Sequence, residues 1–166
     1  MSFQRLQPGD RIYHPAYGLG VVEGITTFDQ GGRATEFYSV RLTKASLLTV
    51  PVDRAQALGL RLIVNGMAAI AACLRTPMHP LPNNDRERFK WLRTCWHAPQ
   101  PGAVAEAVRD LMGRSRTYRL TPADKRWLVN ASERLSAEAA LVDAIDVFQA
   151  REVVRQEIDL LKPVVA

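Results

Sequence analysis

The chain has few of the residues with which small proteins bind metals or cross-link themselves. Cys73 and Cys95 are the only cysteines in 166 residues. That is too few for a disulfide scaffold or a zinc site, and both lie in apolar, helix-like settings, as buried thiols in a reducing compartment do. His14, His79 and His97 are scattered without metal-ligand spacing. No run approaches the roughly 18 consecutive apolar residues of a membrane span. Met1-Ser2-Phe3-Gln4-Arg5 enters a polar turn without the apolar core of a signal peptide, so a cytoplasmic protein without a membrane partner is expected. Catalytic signatures are missing too: there is no G-x-S-x-G elbow, P-loop or H-E-x-x-H. The paired acids Asp143 and Asp146 read as solvent-exposed helix residues. The expectation is therefore a protein that is not an enzyme, with no cofactor, no metal and no small-molecule substrate.

What is present is an ordinary globular composition, 47% hydrophobic and 23% charged, long enough for one domain or two small ones. Net charge is +5, and its distribution says more than its total. Residues 1–62 carry 7 Lys/Arg against 5 Asp/Glu, residues 75–134 carry 12 against 6, and residues 135–166 carry 3 against 6. A basic middle beside an acidic tail points to a polyanion partner on one face; a solubilising surface is the alternative.

Residues 1–62 read as β. Pro8-Gly9-Asp10 and Pro15-Ala16-Tyr17-Gly18 are turns, Arg11-Ile12-Tyr13-His14 is a short strand, and residues 19–25 form a second. Asp29-Gln30-Gly31-Gly32 carries hairpin-turn chemistry. Residues 36–42 alternate with period two, which places Phe37 and Tyr38 on opposite faces, and residues 46–52 make a strand ended or bent by Pro51. Short strands and turns at this density predict a small, strongly bent sheet or barrel.

The period then changes. Residues 65–75 are apolar and Ala-rich, consistent with a buried or linking helix, and Pro77, Pro80 and Pro82 mark a loop near the domain boundary. Between Asn84 and Trp96, Phe89, Leu92 and Trp96 form an apolar stripe, with Arg86, Lys90 and Arg93 as a basic stripe beside it. Residues 103–112 repeat the helical period. Thr121-Pro122-Ala123-Asp124 is a helix start, with a capping hydroxyl, proline at the first position and an acid in the first turn. A last helix is expected over roughly 146–161, carrying Phe148, Val153 and Ile158. The fold class is α+β, with a β module over 1–64, a linking helix and Pro-rich loop over 65–82, and a bundle of four to five helices completed by 83–166.

Taken in order and spacing, several segments resemble the CarD family of bacterial transcription regulators. In the N-terminal half they are Phe3, Pro8-Gly9-Asp10, His14-Pro15-Ala16-Tyr17-Gly18, Val21-Val22-Glu23-Gly24-Ile25, Phe37-Tyr38, Val50-Pro51-Val52 and Gly59-Leu60-Arg61. In the C-terminal half they are Arg88-Phe89-Lys90, residues 104–111 and Leu120-Thr121-Pro122-Ala123-Asp124-Lys125-Arg126. The resemblance implies a Tudor-like first domain, shared with the transcription-repair coupling factor, that docks on the RNA polymerase β subunit by edge-strand pairing. Thr26, Thr27, Phe28 and Gln30, with Leu48 and Thr49, correspond to that contact; without the family in view, these strands simply close the sheet on themselves. It also implies a helical domain that holds promoter DNA near the upstream edge of the opened bubble and changes the stability of the open complex. Arg88, Lys90, Lys125 and Arg126 match basic positions of that domain. Arg86 and Arg93 extend the stripe, and phosphate contacts with counterion release account for such a set physically.

The departures from the family pattern are informative. Asp85 stands where family members place a tryptophan that wedges into the minor groove, and an acid there is repelled by phosphate. Trp91 is the candidate displaced wedge, the alternative being a residue packed against a neighbouring helix. Phe28 and Thr49 stand where relatives carry arginines, and Glu87 replaces a basic residue. An alternative function follows: a protein-interaction adaptor on the polymerase with little or no direct DNA binding.

Overall fold

Gly31 and Gly32 adopt φ of 65° and 83°, the paired positive values that a tight two-residue hairpin needs and that residues with a Cβ resist. In the computed structural model, which describes residues 4–42, 45–63, 66–98 and 100–162, they join β2 (Gly18–Gln30) to β3 (Arg33–Leu42). These two long strands form the centre of an antiparallel sheet with β1 (Arg11–His14), β4 (Leu47–Pro51) and β5 (Arg61–Leu62), in the order β4-β3-β2-β1-β5. The chain divides into two compact units, Met1–Val64 and Asn65–Ala166, and the sheet is the first of them. It is an open sheet with β4 and β5 at its edges. β5 is a short strand that the residue pattern does not announce.

A bulge between Val22 and Gly24 interrupts the β2–β3 ladder. It inserts Glu23, an exposed residue, and so restores phase: Val22 faces Val40, and Ile25, three positions later, still faces Tyr38. Without it, period-two alternation would turn Ile25 away from the core. Ile12, Val22, Tyr38, Val40, Val50 and Leu60 are all buried there. The Tyr38 hydroxyl accepts a hydrogen bond from the Leu6 N–H at 3.1 Å, which satisfies a polar atom in an otherwise apolar centre.

The second unit contains α1 (Met67–Leu74), α2 (Asp85–His97), α3 (Ala103–Ser115), α4 (Pro122–Asp143) and α5 (Val147–Asp159). α3 is its axis, with Val104, Val108, Leu111 and Met112 buried and α1, α2 and α4 packed around it. α1 is part of this core and not a linker: Ile70 and Leu74 are buried in the same cluster as Leu135 and Val154. The Pro-rich loop after α1 likewise belongs to the helical unit. It is tied to α3 where His79 N–H donates to Asp110 Oδ1 at 2.9 Å and Arg109 Nη2 meets His79 Nδ1 at 2.8 Å.

The starts of α2, α4 and α5 are capped by polar side chains that the sequence places there. Asn84 accepts from the backbone N–H groups of Arg86 and Glu87. Thr121 and Asp124 form a reciprocal capping box at α4. Asp143 and Asp146, expected as solvent-exposed helix residues, have structural duties. Asp143 accepts from the first N–H of α1, at Met67, at 2.7 Å, and Asp146 is the N-cap of α5, accepting from Phe148 N–H. On α5 the buried seam is Ala150 and Val154, whereas Phe148 and Val153 face outward.

Candidate polymerase and nucleic-acid interfaces

Pro51 lacks an N–H, so opposite Phe37 it must occupy a position whose N–H would point away from β3. Orientation repeats every two residues, which turns the N–H and C=O groups of Leu47 and Thr49 to the free side as well. The bond from Leu42 N–H to Ser46 O, 2.8 Å, fits the same phase: Ser46, Leu48 and Val50 face β3. Among the described residues the outer edge of β4 is thus a row of unpaired main-chain groups, with Leu47 63% exposed. Of the two β4 residues expected at the polymerase contact, Thr49 presents its backbone to the free edge and Leu48 presents its backbone to β3.

Thr26, Thr27 and Phe28 lie on β2, opposite Phe37, Glu36 and Thr35, and the Gln30 backbone pairs with Arg33; the side chain of Gln30 is outside what the structure describes. β4 covers β3 only from Phe37 to Arg41, and β1 covers β2 only from Gly18 to Val21. The end of the β2–β3 ribbon therefore extends beyond its neighbours. Phe28 packs edge-to-face on Phe37, with ring centres 5.5 Å apart. The two expected groups share one sheet but lie on strands separated by β3. Past Pro51 the edge continues along β3 from Arg33 to Glu36, bordered by Asp53 and Arg54. Pro51 was the signal for this second stretch of edge, because it stops β4 short of the ribbon's end.

In the helical unit the basic residues separate into two groups. Arg75 pairs with Glu157, Arg109 with Asp110 and Arg134 with Glu138, while Arg114 and Arg116 bond to Asn83 and to the Leu161 carbonyl. Arg88 joins this structural group and leaves the expected DNA-binding set. Its side chain is 1% exposed. Nε and Nη2 donate to the two Asp124 carboxylate oxygens, each at 3.0 Å, Nη2 also reaches Asp85 at 2.6 Å, and Nη1 serves the carbonyls of Pro82 and Asn83. With its donors committed in this way Arg88 holds the starts of α2 and α4 together. Burial alone would raise the Asp124 carboxyl, but hydrogen bonds from Arg88 and Thr121 outweigh it and hold the group below its ordinary value.

Arg86, Lys90, Arg93, Arg119, Lys125 and Arg126 are exposed, and no ion pair engages them among the described residues. Arg86, Lys90 and Arg93 recur at helical spacing on the outer face of α2, and Lys125 and Arg126 lie in the first turns of α4. Asp85, in the position of the missing wedge, is the first residue of α2 and pairs with Arg88. Trp91 is half-buried against the cluster of Leu92, Ala107 and Leu111, so it packs and is not a free wedge. The exposed aromatic of α2 is Phe89, 51% accessible, although the apolar stripe placed it beside Leu92 and Trp96. The thiols are free; burial, followed by Glu106 and Asp110, pushes Cys95 up to about 11, which keeps it protonated and unreactive.

Both units match known domain families in chain order. The model described as CarD-like/TRCF RID domain matches residues 6–64, and that described as CarD, C-terminal domain matches residues 69–155. The chain belongs to the CarD family. It is accordingly a transcription regulator, with a partner in the transcription machinery. "Putative transcription factor YdeB" of Bacillus subtilis (strain 168) is 24% identical over 147 residues, covering 84% of this chain and 93% of that protein. Of the segments that carried the resemblance, Phe3 lies outside the described residues. No helix among the described residues is long and apolar enough to cross a membrane, and no group of three or more His, Cys, Asp or Glu among them is placed to hold a metal ion.

Proposed function

We propose that this CarD-family chain docks on the RNA polymerase β subunit through the outer edge of β4 and lays the basic face of its helical unit on promoter DNA near the upstream fork. Bound in that way it changes the lifetime of the open complex. The observation that carries this reading is the free edge of β4 in a domain of the polymerase-interacting family. Leu47 and Thr49 offer two N–H and two C=O groups to an incoming strand, which gives affinity without requiring the arginines that Phe28 and Thr49 replace. The DNA arm is supported by Arg86, Lys90, Arg93, Lys125 and Arg126, exposed and without ion-pair partners among the described residues. Cations of this kind contact the phosphate backbone and set position, not base sequence.

The adaptor reading keeps some support, because Arg88 is committed within the protein and Asp85 and Glu87 stand exposed at the start of α2. Two measurements separate the readings. The full chain is passed over an isolated β-subunit lobe fragment, and a promoter-fork duplex is titrated at two salt concentrations. The regulator binds both, and its DNA affinity falls steeply with salt. An adaptor binds the lobe alone. Failure to bind the lobe, together with an unchanged open-complex lifetime, overturns the proposal.

A further inference from the structure

Between α2 and α4 lies a cleft of about 500 Å³. Phe89, Arg93 and Trp96 line it from α2, and Arg126, Trp127 and Asn130 from α4. Its floor is prebuilt. Trp96 and Trp127 meet edge-to-face with centres 6.1 Å apart. The guanidinium of Arg134 lies 4.6 Å from the Trp96 ring centre, donates to the Trp96 carbonyl at 2.7 Å and is held by the buried Glu138. Phe89 forms a half-exposed wall. Among the described residues no carboxylate lines the cleft, and Arg93 and Arg126 stand at it without ion pairs.

We propose that this cleft receives one unpaired nucleobase, stacked on Phe89 and the indole floor, with the adjoining phosphates on Arg93 and Arg126. The proposal rests on the DNA reading of the helical unit and names what the unit recognises there. Three properties of the cleft favour this occupant. Every base has a π face, so an aromatic platform flanked by cations holds single strands regardless of sequence. The volume lies within the range that encloses a small flat ring system. Asn130 supplies an amide donor and acceptor for a base edge. A base within an intact duplex is stacked on both sides and cannot enter unless it is turned out, whereas an unpaired base at a fork can. The cleft thereby differs from a side chain wedged into a groove: the nucleic acid enters the protein.

The test uses the full chain, a forked duplex carrying 2-aminopurine at the first unpaired position, and a fully paired duplex of the same sequence. The wild type is expected to bind the fork about tenfold more tightly than the duplex, from the stacking of one base, and to alter the 2-aminopurine emission. Phe89→Ala removes that preference and leaves duplex affinity unchanged, while Phe89→Trp keeps it. Equal wild-type affinity for fork and duplex, or an equal loss on both in Phe89→Ala, refutes the cleft site and leaves the DNA reading standing. Absence of binding to either DNA at low salt overturns both.

Discussion

Arg86 and Arg88 stand two positions apart on α2, and the turn of the helix gives them opposite roles. Arg88 points into the unit and is enclosed with Asp124; Arg86 points out. Removing one partner of a buried pair leaves the other uncompensated, so Arg88→Ala is expected to destabilise the helical unit by about 3–5 kcal/mol. Arg86→Ala should stay within about 0.5 kcal/mol of wild type. All three tryptophans, Trp91, Trp96 and Trp127, lie in the helical unit, so urea titration followed by their fluorescence reads that unit alone. The same pair predicts an acid response. Because the Asp124 pKa is held below the ordinary 3.8, its contribution is fully present above that value and is lost as pH falls through the folded-state pKa. Urea midpoints should drop on acidification below pH 3.8, and Asp124→Asn should start from a lower midpoint and flatten the drop. On the outer face, Arg86→Ala, Lys90→Ala or Arg93→Ala should each reduce the slope of log affinity against log salt by about one.

β4 and α4 show how much an element's end matters. Pro51 stops β4 and sets the phase of its outer edge, which makes neighbouring substitutions unequal. Thr49→Pro removes an N–H facing the free side and should abolish binding to the polymerase β lobe while the sheet stays folded. Leu48→Pro removes one facing β3 and should unfold the sheet. Far-ultraviolet circular dichroism alongside lobe binding distinguishes the two; equal lobe binding by Thr49→Pro and wild type would dismiss edge pairing. α4 ends at Ala144 in the left-handed region, with φ of 53°. A Cβ is disfavoured there, so Ala144→Gly should stabilise the helical unit by about 1 kcal/mol, seen as a raised urea midpoint.

For the molecule as a whole, the change from period two to period 3.6 was visible in the residues, and with it the α+β class, since alternation and amphipathic spacing depend only on local backbone geometry. The Thr121–Asp124 cap and the Gly31-Gly32 turn were legible for the same reason: their partners lie within a few positions. The family was legible too, because its motifs are runs along the chain. What stayed hidden depends on neighbours distant in sequence. Arg88 reads as one more cation of a basic stripe until Asp124, 36 residues away, closes over it. Phe89 and Phe148 read as core because they are large and apolar, yet small residues made the close seams, Ala107 beneath α2 and Ala150 on α5. Charge pattern alone placed the cations in the middle of the chain. Only packing separated those that brace the helices from Arg86, Lys90, Arg93, Lys125 and Arg126, because whether a cation is turned inward onto a buried carboxylate or outward to solvent is decided by tertiary contacts and not by its place in the charge pattern.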